Sequence, residues 1–369
     1  MTRDSSESTK SPLLSDKKRF FKPASYARDG STPLPQIVAH RGYKKLYPEN
    51  SLAAFKGALE AGSHGIETDL QLTQDGVVII AHDPSLKRCF GIDKFIADCN
   101  WDYLSTLRTT QAPHEKLLQL SDLLEYLASP SAEHAWVLLD IKRNNEPRTI
   151  VGKIAEAIKI GPSSSRPWSE RIVLGCWSPQ YFPPCEEYLP DFPTALICAS
   201  VFSPRRILNS ARGAGHDSNK NNKNNNNVSS FNTLIQALQG PTLGYDLISD
   251  SHANNRLVFA WTVNKPKDMR WAIRHRVDAV LTDDPAQFQQ ICESWDAAED
   301  RKRKEEDRFT VAEHAQLVLI AVFVALFGWM LKYRAPRTTT TRRLQKGQRR
   351  LAVVDENPEH VLMPGPSEL

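Results

Sequence analysis

The chain has 369 residues, 40 % of them hydrophobic and 24 % charged, so it can bury a sizeable core and is too apolar for a wholly disordered chain. Its net charge of +4 is too small to argue for nucleic acid, and the stretch from Lys332 to Arg350 alone carries eight Lys or Arg and no Asp or Glu. Six cysteines show no framework spacing and no CxxC pair, so reduced, structural thiols are expected, and the polar first 26 residues hold no secretory signal.

In chain order, residues 1–34 read as a disordered arm rich in Ser, Lys, Asp and Pro. A barrel domain is expected over 35–295. Short apolar runs mark eight strands at 37–40, 65–70, 136–141, 171–176, 194–199, 243–249, 257–262 and 277–281. Helical patterns lie between several of them, at 52–61, 117–127, 150–160 and 268–275. The first has Asn50 or Ser51 as N-cap, a stripe of Leu52, Phe55 and Leu59, and Gly62 as its stop. Eight strands alternating with helices predict an α/β fold, a TIM (β/α)8 barrel, with a doubly wound open sheet as the alternative.

An extra apolar run at 76–81 follows the second strand too closely for a crossover helix. Asp75-Gly76 is a hairpin signal, so the spacing predicts a β-hairpin extending from the C-terminal rim of strand two. A two-residue turn there sets Asp69 opposite His82. The long connection 83–134 is expected to roof the opening. Residues 218–228, with seven Asn and two Lys between Asn219 and Asn227, are a low-complexity loop.

After the barrel come a charged linker, 296–310, an apolar segment, 311–331, and a basic then acidic tail, 332–369. The fifteen residues 317–331 lack any charged side chain. As a helix they cover about 22 Å, short of the roughly 30 Å of a bilayer core. A membrane helix is expected over 311–331, either crossing or lying in the interface with basic clusters against anionic head groups.

Chemistry gathers at strand ends. His40 and Arg41 end strand one, Glu67 and Asp69 lie on strand two, His82 and Asp83 follow the hairpin, and Asp140 and Lys142 end strand three. In a barrel these face the C-terminal mouth, where active sites form. Residues two apart on a strand share a face. Three inward carboxylates, Glu67, Asp69 and Asp140, make an oxygen-rich site suited to Mg²⁺ or Ca²⁺ rather than zinc. Two histidines can exchange protons, and Arg41 and Lys142 supply fixed positive charge for phosphate oxygens. Each group also has a structural alternative in capping and ion pairing. Asp283 and Asp284 read as caps of the segment that follows, and Trp177 and Trp261 either line the mouth or pack.

Taken together, His40-Arg41-Gly42, Pro48-Glu49-Asn50-Ser51, Glu67-Thr68-Asp69-Leu70, Thr73-Gln74-Asp75-Gly76 and His82-Asp83-Pro84 resemble the glycerophosphodiester phosphodiesterase family. Asp140-Ile141-Lys142, Trp261-Thr262-Val263-Asn264 and Leu281-Thr282-Asp283 continue the likeness over about 35–290. The resemblance implies a TIM barrel and a divalent metal, Mg²⁺ or Ca²⁺, on Glu67, Asp69 and Asp140. It implies His40 and His82 as the catalytic acid/base pair, Arg41 and Lys142 on the phosphate, and Glu49 as a supporting carboxylate. The family's third metal ligand is usually Glu; Asp140 stands there instead, one methylene shorter.

Barrel plus apolar tail looks like the fungal phosphatidylglycerol phospholipase C branch. That likeness implies a phospholipid membrane and a glycerophospholipid as partners, no nucleic acid, and residence at endoplasmic reticulum, lipid droplet or mitochondrial membranes. The expected reaction cleaves phosphatidylglycerol to diacylglycerol and glycerol phosphate. Two alternatives are hydrolysis of soluble deacylated phospholipids and a head-group-binding module without catalysis.

Overall fold

The computed structural model describes residues 25–27, 30, 32–213, 228–240 and 243–333. Eight parallel strands close on themselves. They are Gln36–His40, Gly65–Leu72, Trp136–Ile141, Ile172–Cys176, Thr194–Cys198, Val228–Leu234, Leu257–Trp261 and Ala279–Thr282. Closure is made by the last strand on the first, with Leu281 beside Val38 and Thr282 beside Ala39, and by the first on the second, with His40 beside Glu67. Closing the sheet leaves no barrel edge to pair with another chain.

The barrel interior is a packed core, not a pore. Val38, Trp136, Leu138, Val173, Ala195, Phe259, Ala279 and Leu281 fill it, with the Trp136 and Phe259 rings 5.9 Å apart. A larger apolar shell joins the outer strand faces to the helices. Strand residues alternate between the two, which is why the strands read as nearly continuous apolar runs. The helix Leu52–Glu60 is capped by Ser51, whose hydroxyl accepts from the Ala54 amide.

Four expectations need correction. The sixth strand is Val228–Leu234, whereas the run at 243–249 is part of a helix, Leu243–Ala253. Buried Ser230, Asn232 and Thr233 interrupt the apolar signal of the true strand. The hairpin partner of the second strand is Val78–Ile80, and the turn is five residues long, closed by the Thr73 amide donating to the Val77 carbonyl. The register therefore puts Ala81, not His82, opposite Asp69. Within the arm, Ser25–Tyr26 pairs antiparallel with Pro33–Leu34. The linker is partly helical, Ala297–Arg303, with the Asp296 carboxylate accepting from two amides at its start.

The connection after the hairpin has a small core of its own. Ile79 and Ala81 of the hairpin pack with Leu86, Ile96, Cys99, Leu104, Leu107 and Leu117. It stands beside the mouth. Residues 1–24 and, of the low-complexity loop, 218–227 lie outside the described residues, while Val228 opens the sixth strand. A helix, Val311–Tyr333, covers the apolar tail. Among the described residues no helix is long and apolar enough to cross a membrane; the expected segment runs partly beyond the side chains described.

Candidate active site

His40 is the last residue of the first strand. Its Nδ1 lies 2.7 Å from Asp283 Oδ1, just beyond the last strand. Asp283 is itself held by Asn264, which donates to Oδ2 at 2.9 Å and accepts the Asp283 amide. With Nδ1–H donated to Asp283, the neutral ring presents its Nε2 lone pair, 3.9 Å from Glu67 Oε2. Next along the chain, Arg41 adopts φ 60°, an uncommon conformation for a residue with a side chain. Its amide donates to Glu67 Oε2, and its guanidinium reaches Glu49 at 3.1 Å and Asp69 at 3.2 Å.

Strand alternation turns Glu67 and Asp69 inward, and register sets Asp140 directly beside Asp69. The three carboxylates are buried, and one oxygen from each lies within 4.8 Å of the others. Asp140 thus joins the cluster in spite of its shorter side chain. Lys142 Nζ sits 2.6 Å from both Asp69 Oδ1 and Asp140 Oδ2. The other Asp140 oxygen accepts from Trp177 Nε1 at 2.7 Å, and Asn50 donates to Asp69 Oδ2 at 2.8 Å.

His82 repeats the histidine–carboxylate pairing by a shorter route. Its Nδ1 lies 2.7 Å from Oδ1 of the adjacent Asp83. Arg88, in the short helix Lys87–Phe90, clamps Asp83 Oδ2 at 2.6 Å and both oxygens of Glu49. Glu49 therefore bridges Arg41 and Arg88, tying the first strand's loop to the hairpin connection.

The electrostatics are those of a site built around a cation. Burial, then the charges of Asp69 and Asp140, push the Glu67 carboxyl well above the usual range. Asp140 is raised by burial in the same way. Asp69 is held low: burial opposes its charge, but Lys142 and Arg41 outweigh it. Burial also drives the proton affinity of both histidines below the ordinary value, only partly offset by Asp283 for His40 and by Asp69 for His82. Burial raises the Asp283 carboxyl, yet the His40 hydrogen bond and the charges of His40 and Lys44 win and hold it at about 2.

The donor set fits a hard divalent cation. All three candidate ligands are buried carboxylates, and one oxygen of each converges on the same point. Glu67 meanwhile carries a charge that its neighbours destabilise.

All of the expected site residues, His40, Arg41, Glu49, Glu67, Asp69, His82, Asp140 and Lys142, come together at the mouth. Sequence reasoning missed Asp283 and Arg88, and left Trp177 open. Asp284 does cap the following helix, accepting from the Gln287 amide, whereas Asp283 turns to His40. The signal was the doubled aspartate, since one cap needs one carboxylate.

The model of the glycerophosphoryl diester phosphodiesterase family matches residues 40–287. The chain belongs to that family. A curated relative, the glycerophosphodiester phosphodiesterase of Bacillus altitudinis, is 24 % identical over 254 residues, covering 68 % of this chain and 96 % of the relative. Human lysophospholipase D GDPD1 is 28 % identical over 137 residues, 34 % of this chain and 41 % of that one. Among solved structures, a phosphodiesterase from Oleispira antarctica in complex with the product sn-glycerol-3-phosphate superposes with a TM-score of 0.58 at 19 % identity, covering 71 % of this chain and 98 % of that one. A family protein from Silicibacter pomeroyi gives 0.59 at 19 %, covering 76 % and 97 %. These likenesses carry the barrel fold to this chain. The protein is thus a phosphodiesterase-family hydrolase by its family model.

Proposed function

We propose that the chain hydrolyses glycerol-headed phosphodiesters with a divalent cation, releasing a glycerol phosphate. The observation that carries this reading is the pairing of two carboxylate-oriented histidines with a buried cluster of Glu67, Asp69 and Asp140, flanked by Arg41 and Lys142. Mg²⁺ or Ca²⁺ on the three carboxylates would neutralise the diester oxygens and favour nucleophilic attack at phosphorus. Arg41 and Lys142 hold those oxygens. One histidine takes the proton of the attacking oxygen, from water or from a free hydroxyl of the substrate's own glycerol, the latter giving a cyclic phosphate that water then opens to the glycerol phosphate. The other gives a proton to the leaving oxygen. Asp283 and Asp83 fix each ring so that Nε2 serves the substrate.

The lipid form of such a substrate is phosphatidylglycerol, cleaved to diacylglycerol and glycerol phosphate at the surface of an internal membrane. The apolar tail helix supports it: Val318, Leu319 and Val322 are exposed. A water-soluble, deacylated diester is the second reading, favoured by the full-length bacterial relative named for that activity. The test is turnover by the full chain in detergent with Mg²⁺ or Ca²⁺, on phospholipids and soluble glycerophosphodiesters, with products weighed by mass spectrometry. Diacylglycerol from phosphatidylglycerol favours the lipid; turnover confined to soluble diesters favours the second reading. No metal-dependent turnover of either overturns both.

A further inference from the structure

Between the barrel and the apolar helix runs a strap whose path is fixed by ion pairs. The helix Pro266–Arg274 begins just past the seventh strand, at the mouth, and descends the barrel wall. Asp300 pairs with Arg274 at its lower end. Asp307 pairs with both Arg274 and Arg270, and Glu313 with Lys267 at the upper end. The strap therefore climbs about 10 Å against that helix and reaches the level of the catalytic rim. There Leu317 is buried, and the apolar helix lies against Ile235–Gln239, which follows the sixth strand at the same rim.

The rim itself carries unpaired apolar side chains. Leu46, on the loop after strand one, is 57 % exposed; Phe95, in the hairpin connection, 53 %; and Phe202, after strand five, 52 %. Exposed Lys45, Lys87, Lys94 and Lys265 stand among them, with exposed Asp93 and Asp98 on either side of Phe95 in sequence. Protruding apolar groups ringed by lysines suit an anionic lipid interface, where rings enter the head-group layer and lysines meet phosphates.

We infer that the mouth of the barrel is the membrane-facing surface, with Leu46, Phe95 and Phe202 inserted in an anionic bilayer beside the strapped apolar helix. This rests on the reading that the enzyme works at a membrane, and it adds an orientation: the site opens onto the lipid, so a head group enters the mouth without leaving the bilayer plane.

The test places an added tryptophan at the rim or at the far end. Full-length Phe202→Trp and Ile160→Trp, the latter at the exposed far end of the 14-residue helix Pro147–Ile160 that descends from the mouth, are mixed with phosphatidylglycerol/phosphatidylcholine vesicles containing brominated acyl chains. The expected result is loss of the added emission for Phe202→Trp and none for Ile160→Trp, with Leu46→Trp behaving as Phe202→Trp. Turnover of a soluble glycerophosphodiester, unchanged in all three, reports that each is folded. Quenching at both ends, at the far end only, or at neither end overturns the orientation. Rim quenching by a protein with no phosphodiester turnover would instead keep the orientation and remove the catalytic reading.

Discussion

The two histidines are oriented by the same chemistry and by opposite architecture. His40 takes its carboxylate from Asp283, 243 positions away, across the seam where the last strand closes on the first. His82 takes its carboxylate from the next residue, on a hairpin appended to the barrel, and the pair is secured by Arg88 from the same connection. The side chain of the first is 12 % exposed and that of the second 34 %. One half of the proposed acid/base pair thus belongs to the closed scaffold and the other to a hairpin attached to it. Glu49, shared by Arg41 and Arg88, ties the two halves, together with Gln71, whose side-chain amide donates to the His82 carbonyl, and Glu115, which accepts from the Ala53 amide.

That contrast can be broken at its strongest point first. His40→Ala and His82→Ala should each lower kcat by about 10²–10⁴-fold while circular dichroism stays that of the parent; wild-type turnover in both would remove the acid/base assignment. Asp69→Asn should be comparably severe and should also weaken titrated Mg²⁺ or Ca²⁺ binding, because it withdraws a charge from the cation cluster. Chelation of the parent should stop turnover, and restored metal should return it.

Asp283→Asn sharpens the comparison. Its anion raises the His40 proton affinity, so removing it should lower that affinity further and move to lower pH whichever limb of the pH–rate profile His40 sets. The same change tests stability. The Asp283 carboxyl sits at about 2, below its ordinary 3.8. Its contribution is therefore present above pH 4 and lost as pH falls toward 2, an effect of about 2 kcal/mol. Acid unfolding of Asp283→Asn should lose that pH dependence in urea titrations. The smallest effect is expected for Arg88→Ala, about tenfold or less in kcat/KM, because Asp83 remains covalently next to His82. Equal losses for Arg88→Ala and Asp283→Asn would dissolve the distinction between scaffold and attachment.

How far each half could be read in the sequence follows the same division. Hairpin, histidine and neighbouring aspartate are local, and Thr73-Gln74-Asp75-Gly76 with His82-Asp83 exposes them. The inward carboxylates are also local, since a spacing of two on a strand fixes a shared face. Asp283 is not. Only barrel closure brings it to His40, and a doubled aspartate before Pro285 reads first as a cap. Strand six failed for a different reason: Asn232 and Thr233 are buried inside the barrel wall, so polarity there reports the fold's interior rather than solvent. The hairpin register slipped by one because a five-residue loop and a two-residue turn share the same Asp-Gly.

The seam between the last and first strands has a consequence for synthesis. A ribosome releases His40, Glu67, Asp69, His82 and Asp140 long before Asp283. Until Ala279–Thr282 emerges and docks on Gln36–His40, the first histidine has no carboxylate to set its tautomer and the barrel has two open edges. Catalytic competence therefore arrives with the final strand, and a chain cut short before it carries nearly every candidate residue and no working site.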